Sequence, residues 1–322
     1  MKRTIYTFFG VKRQGRRQGW VLFLVSIFAA AVLAVIFTSC AHMGTMAQIG
    51  ASVGQAAGVI DAKTADAIVK SGTAIGKAFE EITPEQEYYI GRAVGANILA
   101  TYKIQQSRPD LVIYVNRICN ALIINSPRPE IFNGYHVNVL DSDEINAFAT
   151  SGGHIFITRG LIASSTSEDT LAAVVAHEIA HIQLQHGLKA IKNSRITQAL
   201  IVTGTSAASA AAGNYNLSEM VDVFNDSINE IITTMVTNGY SQSQEFEADT
   251  MAMELMALAG YEPSSLIDVL RALEKNQPGK PGGFNKTHPT PTQRVASAQK
   301  TVGNYNVNDT RSFRVARFKA VN

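Results

Sequence analysis

His177-Glu178-Ile179-Ala180-His181 stands inside a run of alanine and aliphatic residues that opens on a capping pattern at Ser165–Glu168. Residues of that kind favour helix. In a helix, positions four apart differ by about 40° in direction, so the two imidazoles face one point. This constrains the chain more than any other feature. The helix has to be held inside the fold, and some distant segment has to complete whatever the two rings grip.

Two convergent imidazoles suit Zn²⁺, which takes histidine nitrogen at about 2.0–2.1 Å. Glu178, one residue on, can reach a water at the metal but not the metal. That is the arrangement of a metalloprotease, with the glutamate as general base. The plain alternative is a pair of hydrogen-bonded histidines on a core helix. A catalytic zinc takes a third protein ligand and keeps a fourth position open. The candidates are His186, His136, His154, His288 and the cluster Glu245-Phe246-Glu247-Ala248-Asp249. On a continuous helix His186 would stand about 140° from His181, off the metal face. Gln244 to Leu258 reads as a helix with Glu245 and Asp249 on one face, and Glu247 turned about 200° away onto a solvated face. One of the two acids on the shared face would ligate the metal, while the other holds a histidine's free nitrogen.

The N-terminus carries a different signal. Val21–Thr38 is an uncharged apolar run behind a basic stretch, long for a signal-peptide core and just long enough for one membrane helix. It ends in Phe37-Thr38-Ser39-Cys40, small residues before a cysteine, which resembles a bacterial lipoprotein cleavage box with Cys40 as the lipidated residue. An uncleaved anchor is the other reading. Phe37 departs from the aliphatic residue usual in such boxes, and Ala41 after the cysteine resembles outer-membrane sorting. Residues 1–39 hold six of the 28 basic residues and none of the 26 acidic ones, so the net charge of +2 becomes −4 for the rest. A mildly acidic body gives no electrostatic reason for nucleic-acid binding. The second cysteine, Cys119, falls in an apolar helical pattern with Leu111, Val115, Ile118 and Leu122 and reads as a buried small hydrophobe.

Residues 40–83 are Gly/Ala-rich and nearly free of aromatics, a tether with weak helices. Thr83-Pro84-Glu85-Gln86 is a helix start, and the folded domain is placed at residues 84–305, with 306–322 as a C-terminal tail. Helices to about Tyr102 and from Asp110 to about Asn125 precede two strands, Tyr135–Leu140 and His154–Thr158. More helix follows, broken at Gly204, Gly213-Asn214 and Gly239. Helices, a small sheet, then helices make an α+β fold.

These features together resemble the zinc metallopeptidases of family 48 (the HtpX and CAAX prenyl endopeptidase type), in particular their bacterial periplasmic lipoprotein branch. The resemblance spans about residues 84–300. It rests on Asn146-Ala147-Phe148-Ala149, Gly152-Gly153-His154-Ile155-Phe156-Ile157, Gly160-Leu161, His177–His181 with His186, Glu245–Asp249 and His288-Pro289-Thr290-Pro291-Thr292-Gln293-Arg294. It implies a zincin-like, gluzincin-type domain, mostly helical with a small sheet beside the zinc helix. One Zn²⁺ per chain would be held by His177, His181 and Glu245, with Asp249 as supporting acid. His154–Thr158 would be an edge strand on which a substrate backbone adds as a further strand. His288 matches a histidine near the active site, where it would stabilise an oxyanion or occupy the open metal position as a reversible block; a capping or surface histidine is the alternative. The run Ile201–Gly213, where some relatives carry membrane hairpins, is a departure.

The expected activity is zinc-dependent endopeptidase. Its substrates would be unfolded or misassembled envelope proteins, and its place the periplasmic side of a bacterial outer membrane, held through a lipid. The competing expectations are a metal-bound chaperone-like or assembly factor with a blocked site, and a nonproteolytic zinc hydrolase.

Overall fold

The computed structural model of the chain describes residues 43–58, 60–79, 81–190, 192, 239–276, 288, 291–305, 307 and 310–321. The stretch read as a signal segment, residues 1–39, Cys40 and the run Ile201–Gly213 lie outside the described residues. The chain divides into two compact units, one of Met1–Glu80 with Ile196–Tyr215, the other of Glu81–Arg195 with Asn216–Asn322. Among the described residues no helix is long and apolar enough to cross a membrane.

In the first unit, the stretch read as a tether contains two helices, α1 (Met43–Ala56) and α2 (Ala62–Phe79), packed as a hairpin. Asp61 accepts a hydrogen bond from the Thr64 N–H at 2.7 Å and so caps α2. Among the described residues of this unit the buried apolar side chains are small, Ala51, Ala65 and Ala67, which lets the two helices approach closely.

The second unit opens where the sequence places a helix start. Thr83 caps α3 (Pro84–Thr101) through a capping box with Gln86, and α4 (Pro109–Ile123) follows. Then come three strands: β1 (His136–Leu140), β2 (Ala147–Thr150) and β3 (His154–Thr158). Their order is β1-β3-β2, with β1 parallel and β2 antiparallel to β3. This corrects the edge-strand expectation: His154–Thr158 is the central strand, and the edge beside it is β2. Sequence patterning missed β2 because all four of its residues are buried, so the alternation that marks a half-exposed strand is absent. Beyond β1, the Gln105 N–H donates to the Val139 carbonyl and the Asp141 N–H to the Lys103 carbonyl, both at 2.8 Å. Among the described residues β2 pairs with β3 alone.

The sheet is covered on both faces. Val94 and Ile98 of α3 meet Phe148 and Phe156 on one side. Ala147, Ala149, Ile155 and Ile157 face the main core of α4 and the zinc-motif helix on the other. Burying one such Ile, Leu or Phe contributes about 1.5–3 kcal/mol. Gly91 sets how close α3 comes to the sheet, since a Cβ there would lie 1.4 Å from the Ser151 carbonyl oxygen. At the β2–β3 turn, Gly152 has φ +76°, a region costly for side-chain-bearing residues.

After α5 (Arg159–Ser164), Ser167 caps α6 (Glu168–Gln183), every residue of which is buried. The helix ends at Gln183, so it does not run on through His186 as a continuous helix would. Leu184 closes it, Gln185 turns through φ +55°, and a new helical stretch runs over residues 186–190. Then follow α7 (Gln242–Leu258), α8 (Ser265–Asn276), α9 (Pro291–Thr301), a 3₁₀ turn at Val302–Asn304 and α10 (Arg311–Val321).

Helix α10 occupies the stretch expected to be a tail. Its Arg314 pairs with Asp169 at 2.9 Å, and Arg317 Nε donates to Glu168 at 3.0 Å. Tyr114 and Tyr261 hydroxyls also donate to Glu168, at 2.8 and 3.1 Å. These two acids lie in the first turn of α6, the helix end at which negative charge is favoured. A charged clamp therefore anchors the N-terminus of the zinc-motif helix. Cys119 is a fully buried free thiol on α4, as its apolar surroundings in the sequence suggest.

Candidate metal centre

His177 and His181 project from the middle of α6, with Nε2 atoms 3.0 Å apart. Glu245, in the first turn of α7, brings Oε2 to 3.3 Å from His177 Nε2 and Oε1 to 3.5 Å from His181 Nε2. His288 completes the group, its Nδ1 3.2 Å from His177 Nε2 and 3.1 Å from Glu245 Oε1. All four residues are buried, and their donor atoms lie within 4.8 Å of one another. Donors arranged tetrahedrally at about 2.0–2.2 Å from a zinc stand about 3.3–3.6 Å apart. The observed separations, 3.0 Å between the imidazoles and 3.3 and 3.5 Å to the two Glu245 oxygens, lie close to that spacing.

The orphaned atoms point the same way. Both carboxylate oxygens of Glu178 and Oε2 of Glu245 are buried without a hydrogen bond. Arg294 Nη1 is 2.8 Å from that Oε2 but aims no N–H at it. Buried carboxylate oxygens without a hydrogen bond are costly; Glu245 has Arg294 as counter-charge, and the Glu178 oxygens are left for a water beside the cluster. Two histidine nitrogens and a carboxylate are a donor set that zinc accepts.

The outer nitrogens of both histidines are held. His177 Nδ1 lies 3.1 Å from Asp249 Oδ1; in the neutral ring, donating there leaves the Nε2 lone pair facing the cluster. His181 Nδ1 lies 2.9 Å from His186 Nδ1, and His186 Nε2 lies 3.3 Å from Glu247 Oε2. If Glu247 accepts from His186 Nε2, His186 Nδ1 accepts from His181, and the His181 Nε2 lone pair also faces inward. Asp249 thus orients the His177 ring, and the His186–Glu247 chain orients the His181 ring. His186 is off the metal face, as its position suggests, but it reaches His181 because α6 has ended and the chain has turned back. Glu247 faces away from the metal and is half-exposed, yet its partnership with His186 makes it more than a solvated acid. His136 and His154 are cross-strand partners at the start of β1 and β3 and are not among the convergent four.

Two residues escaped sequence reasoning. Arg294, on α9 and 1% exposed, places Nη2 2.6 Å from Asp249 Oδ1 and Nε 2.8 Å from Oδ2. It was visible only as part of a motif without a role, because its partners are 45 and 49 positions away. Tyr240 stacks on the His181 ring, centroids 4.0 Å apart and planes 16° apart. Its place just ahead of the α7 cap carries no pattern that would have revealed it.

The electrostatics follow from burial and these pairs. Burial pushes the Glu178 carboxyl above its usual range, against the pull of His288 and His177. At Glu245 burial pushes upward too, but Arg294, His288 and the α6 histidines prevail and hold it well below. Asp249 is likewise held at about 2, with Arg294 overcoming burial. Burial keeps His181 neutral, well below the usual imidazole range. At His177 burial and Arg294 push down, but the Asp249 and Glu245 carboxylates outweigh them and lift it to about 9.

The chain matches known proteins in the same terms. The sequence profile of peptidase family M48 covers residues 112–302. The beta-barrel assembly-enhancing protease of Escherichia coli K12 is 25% identical over 255 residues, which are 77% of this chain and 49% of that protein. The metalloprotease LoiP of the same organism is 29% identical over 180 residues, 55% of this chain and 65% of LoiP. The mitochondrial metalloendopeptidase OMA1 of Schizosaccharomyces pombe is 23% identical over 228 residues, 70% and 63% of the two chains. The chain spans about half the length of the first of these relatives. With the profile covering more than half of its residues and both α6 histidines meeting the α7 glutamate inside it, the chain belongs to peptidase family M48, the metallopeptidases that its motifs resemble.

Proposed function

We propose that this chain is a zinc-dependent endopeptidase acting on proteins of the bacterial cell envelope, with His177, His181 and Glu245 as metal ligands and Glu178 as general base. The observation that supports it is a buried Glu178 carboxylate without a hydrogen bond, beside a set of four metal-ligating side chains whose donor atoms lie within 4.8 Å of one another. When bound, zinc supplies a Lewis acid that polarises a peptide carbonyl and lowers the pKa of a water. Glu178, its proton affinity raised by burial, takes the proton of the attacking water and returns it to the leaving nitrogen. Asp249, His186 and Glu247 hold the imidazoles in register. A substrate backbone adds along the outer side of β2, the edge next to α6 that pairs with no other strand among the described residues, rather than along β3. The envelope setting rests on relatives named for β-barrel assembly and on the N-terminal pattern ending at Cys40, through which a lipid would hold the protein at the periplasmic face of the outer membrane. Unfolded or misassembled envelope proteins are the proposed substrates.

The test is Glu178→Gln, which should retain zinc and lose cleavage of an unfolded protein such as casein. Undiminished cleavage refutes the mechanism. Glu245→Ala should abolish zinc retention measured by metal analysis, and normal retention there refutes the ligand assignment. One observation favours a second reading. His288 Nδ1 stands in the fourth donor position, and its Nε2 is 3.4 Å from Glu178 Oε1, where it blocks the site at rest. The protein would then serve as an assembly factor of restrained activity. Replacing His288 by Ala separates the two: cleavage that rises supports the block, and cleavage that falls supports a role in the reaction.

A further inference from the structure

One wall of the metal centre is aromatic. The Tyr240 ring lies flat on His181, centroids 4.0 Å and planes 16° apart, and flanks His288 at 6.2 Å. His288 Nδ1 stands in the fourth donor position, the one a catalytic site keeps for substrate. Tyr240 therefore borders both a proposed ligand and the space in which a reacting carbonyl would sit. Among the described residues its hydroxyl makes no hydrogen bond, and a donor beside a buried polar cluster is costly to leave without an acceptor.

The backbone fixes this ring from both sides. Gly239 turns through φ +76°, a conformation open to glycine, and Ser241 begins α7 with a capping box to Gln244. The same helix start carries Glu245, so ring and ligand stand on one rigid element, as a preorganised site needs. Burial pushes the phenol's pKa upward, and the Glu178 and Glu245 carboxylates push it further. Both charges act on the hydroxyl from nearby, which places it within the field of the proposed base and ligand. A tyrosine is protonated at neutral pH even at its ordinary pKa of about 10, so this group is a donor and not a base.

We infer that Tyr240 is a catalytic residue whose hydroxyl donates a hydrogen bond to the substrate's carbonyl oxygen as water adds to the carbonyl carbon. The inference rests on the peptidase reading above and adds a named donor to it. In that step a C–O bond forms, the π pair of the carbonyl moves onto its oxygen, and Glu178 takes the proton of the water. Tyr240 keeps its own proton and stabilises the charge on the oxygen. A donor aimed where charge develops acts on the transition state more than on the planar substrate. Its loss should therefore appear in kcat rather than in KM.

The test uses the full chain and Tyr240→Phe, which keeps the stacked ring and removes only the hydroxyl. With a fluorogenic peptide, kcat should fall about a hundredfold, the lower end for one lost oxyanion donor, while KM and zinc content by metal analysis are unchanged. A phosphinic peptide, whose tetrahedral anion imitates the adduct, should bind about tenfold or more weakly, the worth of one hydrogen bond to a charged group. The parent peptide should bind Glu178→Gln equally well with and without Tyr240→Phe. An unchanged kcat leaves Tyr240 as a wall of His181 only and overturns the donor, with the peptidase reading standing. A lower kcat overturns it too if zinc is lost, if phosphinic affinity is unchanged, or if parent-peptide affinity falls as far. Phosphinic binding that depends on the hydroxyl, in a chain that cleaves no peptide, supports the donor and refutes the peptidase reading. A chain that neither cleaves peptides nor binds the phosphinic peptide overturns both.

Discussion

Arg294 offers the sharpest test of how the site is built. Its guanidinium lies 2.8 Å from Glu245 and 2.6–2.8 Å from Asp249, with all three groups at most 2% exposed. At 2.8 Å and an effective dielectric of about 20, each attraction is about 6 kcal/mol before desolvation is subtracted. The measurable quantity is the cost of removing one partner, about 3–5 kcal/mol for a buried ion pair, because the remaining charge stays buried. Here two carboxylates one helical turn apart would lose their shared cation. Arg294→Met should therefore cost about 3–5 kcal/mol in the chelator-treated protein, a large part of a typical 5–15 kcal/mol domain stability. Zinc should restore part of it by taking over the charge of Glu245. Arg294→Lys should fall between, since an ammonium keeps the charge but cannot span Asp249 in a bidentate fork. Urea unfolding with and without metal measures all three. A loss below about 1 kcal/mol for Arg294→Met, or one that zinc leaves unchanged, would refute the assignment of Arg294 as the counter-charge of the α7 acids.

Three further outcomes are expected. Glu247→Ala removes the far end of the His186–His181 chain, so zinc affinity in a chelator competition should fall about tenfold, the lower end for groups that orient ligands, while Glu245→Ala loses the metal. Burial lifts the Cys119 thiol from 9 to about 12. Its contribution to stability is therefore whole below pH 9 and is lost as pH rises towards 12, and Cys119 should resist thiol reagents at pH 8 until the chain is unfolded. Arg314→Ala leaves buried Asp169 without its cation and should cost about 3 kcal/mol in thermal or urea unfolding, against no effect if residues 306–322 were a loose tail.

What could be read from the chain alone is what lies within a helical turn or two of itself. The convergence of His177 and His181, the shared face of Glu245 and Asp249, and the Thr83 cap all follow from a rise and twist fixed by covalent geometry, while the capping box expected at Ser165–Glu168 is formed instead by Ser167 with Thr170. The order of the motifs was enough to indicate the family. Positions set by distant partners could not be read this way. His288 reaches His177 across 111 residues and Arg294 reaches it across 117. The return of His186 depends on one left-handed residue, Gln185. The outer place of β2 was hidden because burial on both faces erases its alternation. The docking of α10 was hidden because Arg314 and Arg317 find acids some 145 positions earlier. Local periodicity carries no information about which far segment will supply a counter-charge or cover a face, and only the packed chain decides that.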